Sequence, residues 1–113
     1  LKERGLDKVI KSLKQPVFGI CVGQQLLCAH SEEGNVDCLG IIPANVKRFP
    51  PGGKIPQIGW NTLKDLKSPL MKGIPEDSYV YFVHSYYVES TPYAIATTEY
   101  IVPFSSALQK DNF

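Results

Sequence analysis

Pro16-Val17-Phe18-Gly19-Ile20-Cys21-Val22-Gly23-Gln24-Gln25-Leu26-Leu27 is the stretch on which the fold turns. Val17, Phe18, Gly19 and Ile20 form a short uninterrupted apolar run, which suits a strand buried on both faces, as in a parallel sheet. Residues 24–30 are helix formers and predict a helix that turns Leu26 and Leu27 inward. Between the two lies a G-x-C-x-G turn, Gly19 to Gly23. Upstream, Leu6, Val9, Ile10 and Leu13 fall at helical spacing, with Lys8, Lys11 and Lys14 on the opposite side. Gln15-Pro16 stops that helix. Helix, buried strand, tight turn and helix together predict an α/β domain with a central, mostly parallel sheet and flanking helices.

The rest of the chain has a different texture. Residues 45–49, 79–88, 93–98 and 101–107 are rich in β-branched and aromatic side chains and predict strands. Pro/Gly turns at 50–53 and 91–92 separate them, and one helical turn is expected near 69–72. No internal repeat and no long linker divides the 113 residues, so they read as part of one domain. Charged residues are 20% of the chain, and 12 basic side chains balance 11 acidic ones. That balance offers no electrostatic basis for a nucleic-acid or membrane-surface partner. No apolar run approaches the roughly 20 residues that span a bilayer. Leu1-Lys2-Glu3-Arg4 is neither an initiator Met nor a signal-peptide core, so the chain reads as an internal piece of something longer. Cys21, Cys28 and Cys38 show no metal-ligand rhythm. Free thiols in a reducing cytoplasm, with neither metal nor cofactor, are the expectation.

Cys21 is the residue with chemical promise. A nucleophile on a sharp strand-to-helix turn takes strained backbone angles, and glycines on either side keep that turn clear. The helix start then offers unpaired N–H groups, which favour a thiolate and the oxyanion formed when it attacks a carbonyl. Cys28 reads as a core thiol two helical turns along the same face, and Cys38 as a loop residue. A nucleophilic thiol needs a base. His30 is expected at the far end of the helix that Cys21 begins, out of reach, which leaves His84 at the end of a strand. A Cys21/His84 dyad and a purely structural His84 are both open on the residues alone.

The quoted stretch closely resembles the nucleophile segment of class I glutamine amidotransferases, which have a flavodoxin-like fold. Ser31-Glu32-Glu33, Pro56-Gln57-Ile58-Gly59-Trp60-Asn61, Tyr81-Phe82-Val83-His84-Ser85-Tyr86-Tyr87-Val88 and Lys110-Asp111-Asn112-Phe113 extend the resemblance over nearly the whole chain. They narrow it to the glutaminase subunits of imidazole glycerol phosphate synthases, in histidine biosynthesis. The resemblance implies that Cys21 attacks the side-chain amide of glutamine, that the Val22 N–H serves the oxyanion, and that Gly23, Gln25, Glu33, Ser85 and Tyr86 line the glutamine pocket. Ammonia would pass to a (βα)8-barrel cyclase subunit, forming a heterodimer. Pro56, Gln57, Gly59, Trp60 and Asn61 would face that partner, although on residues alone they read as a turn held by a half-buried Trp60.

The chain departs from the family pattern in places. The family's base comes from a His-Pro-Glu segment expected just after Phe113, and a glycine-rich segment that helps build the oxyanion site is expected before Leu1. Without either, the 113 residues alone are expected to be inactive. Gln24 stands where a hydrophobic residue is more usual. Rival expectations are the glutaminase component of another amidotransferase, a catalytically idle docking module, and a cysteine hydrolase that uses His84 directly.

Overall fold

Residues 5–113 are described in the computed structural model of the chain; residues 1–4 lie outside them. The elements run α1 (Leu6–Ser12), α2 (Val22–Leu26), β1 (His30–Ser31), β2 (Val36–Asp37), β3 (Asn45–Arg48), β4 (Gln57–Leu63), β5 (Ser78–His84), β6 (Tyr86–Val88), β7 (Ala94–Tyr100) and β8 (Val102–Leu108). A 3-10 turn at Pro69–Met71 falls where a helical turn is expected. The strands predicted in the second half are present. Residues 79–88 divide at Ser85 into β5 and β6, which belong to different sheets.

Six strands form a sheet in the order β2-β1-β3-β6-β8-β7, and β4 pairs with β5 as a separate ribbon. Among the described residues only β1 and β3 are parallel; every other pair is antiparallel. The expected mostly parallel sheet is thereby corrected to a mixed, mainly antiparallel one. The connections explain it. A parallel neighbour needs a crossover of a dozen or more residues, whereas β1–β2 and β7–β8 are joined by tight turns that reverse the chain.

The apolar run 17–20 is the second correction. It is not a strand, and Phe18 and Ile20 are 85% and 70% exposed. An apolar run becomes a buried strand only where other strands pair with its edges. Here the Val17 N–H donates to the Asn112 carbonyl at 2.7 Å, and no ladder follows among the described residues. The helix expected over 24–30 is shorter, ending at Leu26. His30 therefore lies in β1, and Cys28 follows the helix instead of sharing its face. Residues 56–61 hold the third correction. Gln57 to Asn61 lie in β4, not in a turn, and Trp60 is 69% exposed. Alternation along Ile58, Trp60 and Thr62 is a strand pattern that the Gly and Pro around it obscure.

The core has two parts. Leu27, Cys28, Leu39, Ile42, Val46 and Val88 pack where α2 meets the sheet, and Ile10 of α1 rests against them. Phe49, Tyr87 and Phe104 form an aromatic cluster beside it, with ring centroids 4.9–6.0 Å apart. The β4–β5 ribbon is fastened to the large sheet through β7. Lys64 and Thr97 exchange backbone hydrogen bonds at 2.7 and 2.8 Å, and the Thr98 hydroxyl donates to the Thr62 carbonyl at 2.9 Å.

Asn112 fastens the chain ahead of α2. Its Nδ2 donates to the carbonyls of Leu13 and Gln15 at 2.9 and 2.8 Å. Asn112→Ala strands both acceptors, and a lost hydrogen bond of this kind is worth about 1 kcal/mol. We expect Asn112→Ala to lower unfolding stability by about 1–2 kcal/mol in urea titration, with Asn112→Asp no better, since a carboxylate cannot donate.

Candidate active site at Cys21

Cys21 caps the start of α2 with φ 58° and ψ −114°. A side chain with a Cβ avoids this region of backbone space, and the conformation costs on the order of 1–3 kcal/mol. The side chain is exposed. Gly19 is what permits the turn. A Cβ built there would sit 2.8 Å from the Gly23 carbonyl carbon and 2.9 Å from its oxygen, a backbone contact that nothing flexible can relieve. Gly23 differs: a Cβ there meets nothing within 4 Å, so packing among the described residues does not require that glycine. The Gly23 N–H donates to the Ile20 carbonyl at 3.0 Å, whereas the Val22 N–H has no acceptor among the described residues. An N–H adjoining a thiol at a sharp turn is the donor an oxyanion needs. α2 has only five residues, so this local donor matters more than any helix dipole.

Two cavities meet at Cys21. One, of about 280 Å³, is walled by Cys21, Gln25, His84, Tyr86 and Ser106 among others. The other, of about 470 Å³, is more apolar, with Phe18, Ile20, Met71, Ile95 and Leu108 in its walls. Gln25 and Tyr86 are thus gathered with Cys21 as expected. Gly23, Glu33 and Ser85 are not among the residues that wall either cavity. Glu33 is exposed in the turn between β1 and β2, its N–H donating to the Ser31 hydroxyl at 3.1 Å.

His84 shares the smaller cavity but is committed elsewhere. Nδ1 lies 2.8 Å from the Tyr86 carbonyl, which can only accept, so Nδ1 carries the hydrogen. Nε2 lies 2.6 Å from the side-chain amide of Gln57. Burial holds the His84 pKa below its ordinary 6.5, against a smaller opposite push from the Tyr86 carbonyl. The ring is therefore neutral, Nε2 has no hydrogen, and Gln57 must present its NH2 to it; the amide oxygen and nitrogen exchange by a half-turn. The ring also packs on Phe49 and Phe104 at 5.1 and 5.3 Å. With both nitrogens occupied, His84 is a strand-end anchor, and the direct dyad with Cys21 falls away.

The same bond corrects the reading of Gln57. It is 3% exposed and opposite His84 in the β4–β5 register, so it cannot face a partner. Asn61 is half-buried, with Nδ2 on the Glu99 carbonyl at 2.9 Å. Outward from the ribbon stand Ile58 and Trp60, opposite Val83 and Tyr81, all at least 55% exposed. Trp60 and Tyr81 meet edge to face at 5.4 Å. Alternation in β5 could have revealed Tyr81 and Val83 as partners of Trp60; nothing local in the sequence marks the Gln57–His84 bond. Burial pushes the Cys28 thiol up to about 12, and Cys38 is half-buried with its Sγ 4.0 Å from the Val36 carbonyl.

The sequence profile of the class-I glutamine amidotransferases matches residues 2–110, and the chain belongs to that family. Its relatives include the imidazole glycerol phosphate synthase subunit HisH of Bacteroides fragilis (strain YCH46), 60% identical over 116 residues, a match covering all of this chain and 59% of the relative. The HisH subunits of Bacteroides thetaiotaomicron and Haemophilus influenzae (strain Rd) are 56% and 46% identical, again over the whole chain and 59% and 58% of their own lengths. The chain thus spans about three-fifths of these relatives. Among the described residues no helix is long and apolar enough to cross a membrane.

Two outcomes test the geometry. Gly19→Ala is expected to destabilise by about 1–3 kcal/mol, because the new methyl overpacks backbone. Gly23→Ala is expected to be neutral or stabilising by up to about 1 kcal/mol, since alanine favours a helix. Equal melting temperatures for the two variants would contradict the asymmetry. The second outcome concerns pH. A histidine whose folded pKa is depressed binds its proton more readily in the unfolded chain. Its contribution is therefore present above pH 6.5 and is lost as pH falls through the folded value. Unfolding stability followed from pH 7.5 to 5 should fall less steeply in His84→Phe than in the parent.

Proposed function

We propose that the chain is part of a glutaminase that supplies ammonia to imidazole glycerol phosphate synthesis, with Cys21 as nucleophile. The observation that carries this reading is the backbone of Cys21, strained at φ 58° and exposed at the head of α2, in a member of the amidotransferase family whose relatives are subunits of that synthase. Strain of this kind persists where the surroundings enforce it, and it presents the thiol outward.

On this reading the Cys21 sulfur attacks the side-chain amide carbon of glutamine, and the Val22 N–H stabilises the oxyanion. The carbon–nitrogen bond then breaks, ammonia leaves, and a γ-glutamyl thioester remains. Water cleaves the thioester, releasing glutamate and restoring the thiol. Gln25 and Tyr86 line the pocket. Gly23, Glu33 and Ser85 join it in the complete domain, Glu33 meeting the substrate's α-ammonium group. The base belongs to the family's His-Pro-Glu segment, not to His84.

We read the 113 residues as an internal portion of one amidotransferase domain, flavodoxin-like when whole and cytoplasmic. Its partner is a (βα)8-barrel cyclase. Pro56, Gly59 and Trp60 face that partner, and the exposed apolar strip of Trp60, Tyr81, Ile58 and Val83 supports the assignment because a stable complex would cover it. Gln57 and Asn61 act from behind, holding the ribbon.

A glutamine-mimicking electrophile should label Cys21 selectively in the full protein with its partner. Cys28, buried with its pKa pushed up to about 12, should stay unmodified. Cys21→Ala should reduce ammonia release from glutamine by at least about a thousandfold. Ammonia release that survives Cys21→Ala would overturn the reading.

A further inference from the structure

The β7–β8 hairpin reverses over Ile101 alone, with Tyr100 opposite Val102 in the register. Ile101 holds φ 65°, in a region that β-branched side chains avoid. Glycine would make the same turn without strain. Strain of this kind persists where the surroundings enforce it, and it directs attention to what the side chain touches. The Ile101 side chain lies across the backbone of Gly52 and Gly53. A Cβ on Gly53 would stand 3.0 Å from Ile101 Cγ1 and 3.2 Å from its Cδ1, and one on Gly52 would stand 3.4 Å from Cγ2. The two glycines leave the isoleucine seated on bare main chain.

Its neighbours hold the same part of the chain. The Tyr100 hydroxyl donates to the Lys54 carbonyl at 2.5 Å, and the Tyr100 ring packs edge-on against the buried Phe49 at 5.5 Å. The Glu99 carbonyl accepts from Asn61 Nδ2 at 2.9 Å. Three consecutive residues at the hairpin tip thus grip the segment that leads into β4 and, further on, β4 itself. Between the two grips stand Ile58 and Trp60 on the exposed apolar side of the ribbon. Gly59 separates them at φ 144°, so this part of β4 has the backbone freedom of glycine, and its shape depends on what holds it from outside.

We propose that the β7–β8 tip is a clamp that presets the outer face of β4 for the cyclase partner, with Ile101 and Tyr100 as positioning residues. A surface held in its bound shape before association avoids the ordering cost of binding. The proposal rests on the reading of the ribbon as the partner-facing surface, and it names what fixes the shape of that surface.

The test measures the affinity of the full glutaminase subunit for its cyclase by calorimetric titration, with the melting temperature of the free subunit as the second reading. Ile101→Gly and Tyr100→Phe should each weaken binding about five- to tenfold. Ile101→Val keeps both Cγ atoms and should stay within about twofold of the parent. Ile101→Gly relieves the backbone strain as it removes the contact, so it should melt close to the parent. Gly53→Val should weaken binding in the parent and add less than about twofold in the Ile101→Gly background, since the two positions share one contact. Parent-like affinity in both Ile101→Gly and Tyr100→Phe, or affinity that falls only in step with melting temperature, would make the tip merely structural and overturn the proposal. Trp60→Ala run alongside separates the two ideas. Unchanged affinity there defeats the partner-facing reading of the ribbon and the clamp with it, whereas weakened binding in Trp60→Ala beside parent-like tip variants defeats the clamp alone.

Discussion

The contact of backbone on backbone between Gly19 and Gly23 is the constraint from which the rest of the site follows. Two segments of main chain approach so closely that a methyl on Gly19 would lie 2.8 Å from a carbonyl carbon. Within that tight turn Cys21 holds φ 58° and its side chain is exposed. Beside it, the Val22 N–H has no acceptor among the described residues. The exposed thiol, the unpaired donor beside it and the meeting of two cavities all fall at this one turn.

Behind the cavity lies a second arrangement of a different kind. His84 and Gln57 face each other across the β4–β5 ladder, and the ring is wedged among Phe49, Phe82 and Phe104. Two hydrogen bonds occupy both nitrogens of a half-buried imidazole. The same strands present Trp60 and Tyr81 to the outside, so one ribbon separates a locked inner face from an apolar outer one. Position opposite a register partner decides which residues do what here, more than chemical type does.

Local features of the sequence disclosed the elbow well, because its glycines and cysteine act on neighbours within four positions. They also disclosed α1 and the strands of the second half, where β-branched and aromatic residues dominate. The Val17–Ile20 run misled for a definite reason: hydrophobicity states a demand for burial, and no strand among the described residues pairs with its edges to meet it. Residues 57–61 misled in the opposite direction, since Gly59 and the preceding Pro56 imitate a turn while the strand is held by its partner β5. Commitment of both His84 nitrogens is also non-local, resting on Gln57, 27 residues away. The Gln24 amide and the Ser106 carbonyl, hydrogen-bonded across 82 positions, give no sign of each other in the sequence.

Asn112 grips carbonyls 97 and 99 positions earlier, and its own carbonyl holds Val17. The stretch leading into the cysteine turn is therefore clasped by a residue that lies far along the chain from it. On the ribosome, that clasp can close only after residue 112 has cleared the exit tunnel, long after Cys21 itself has emerged.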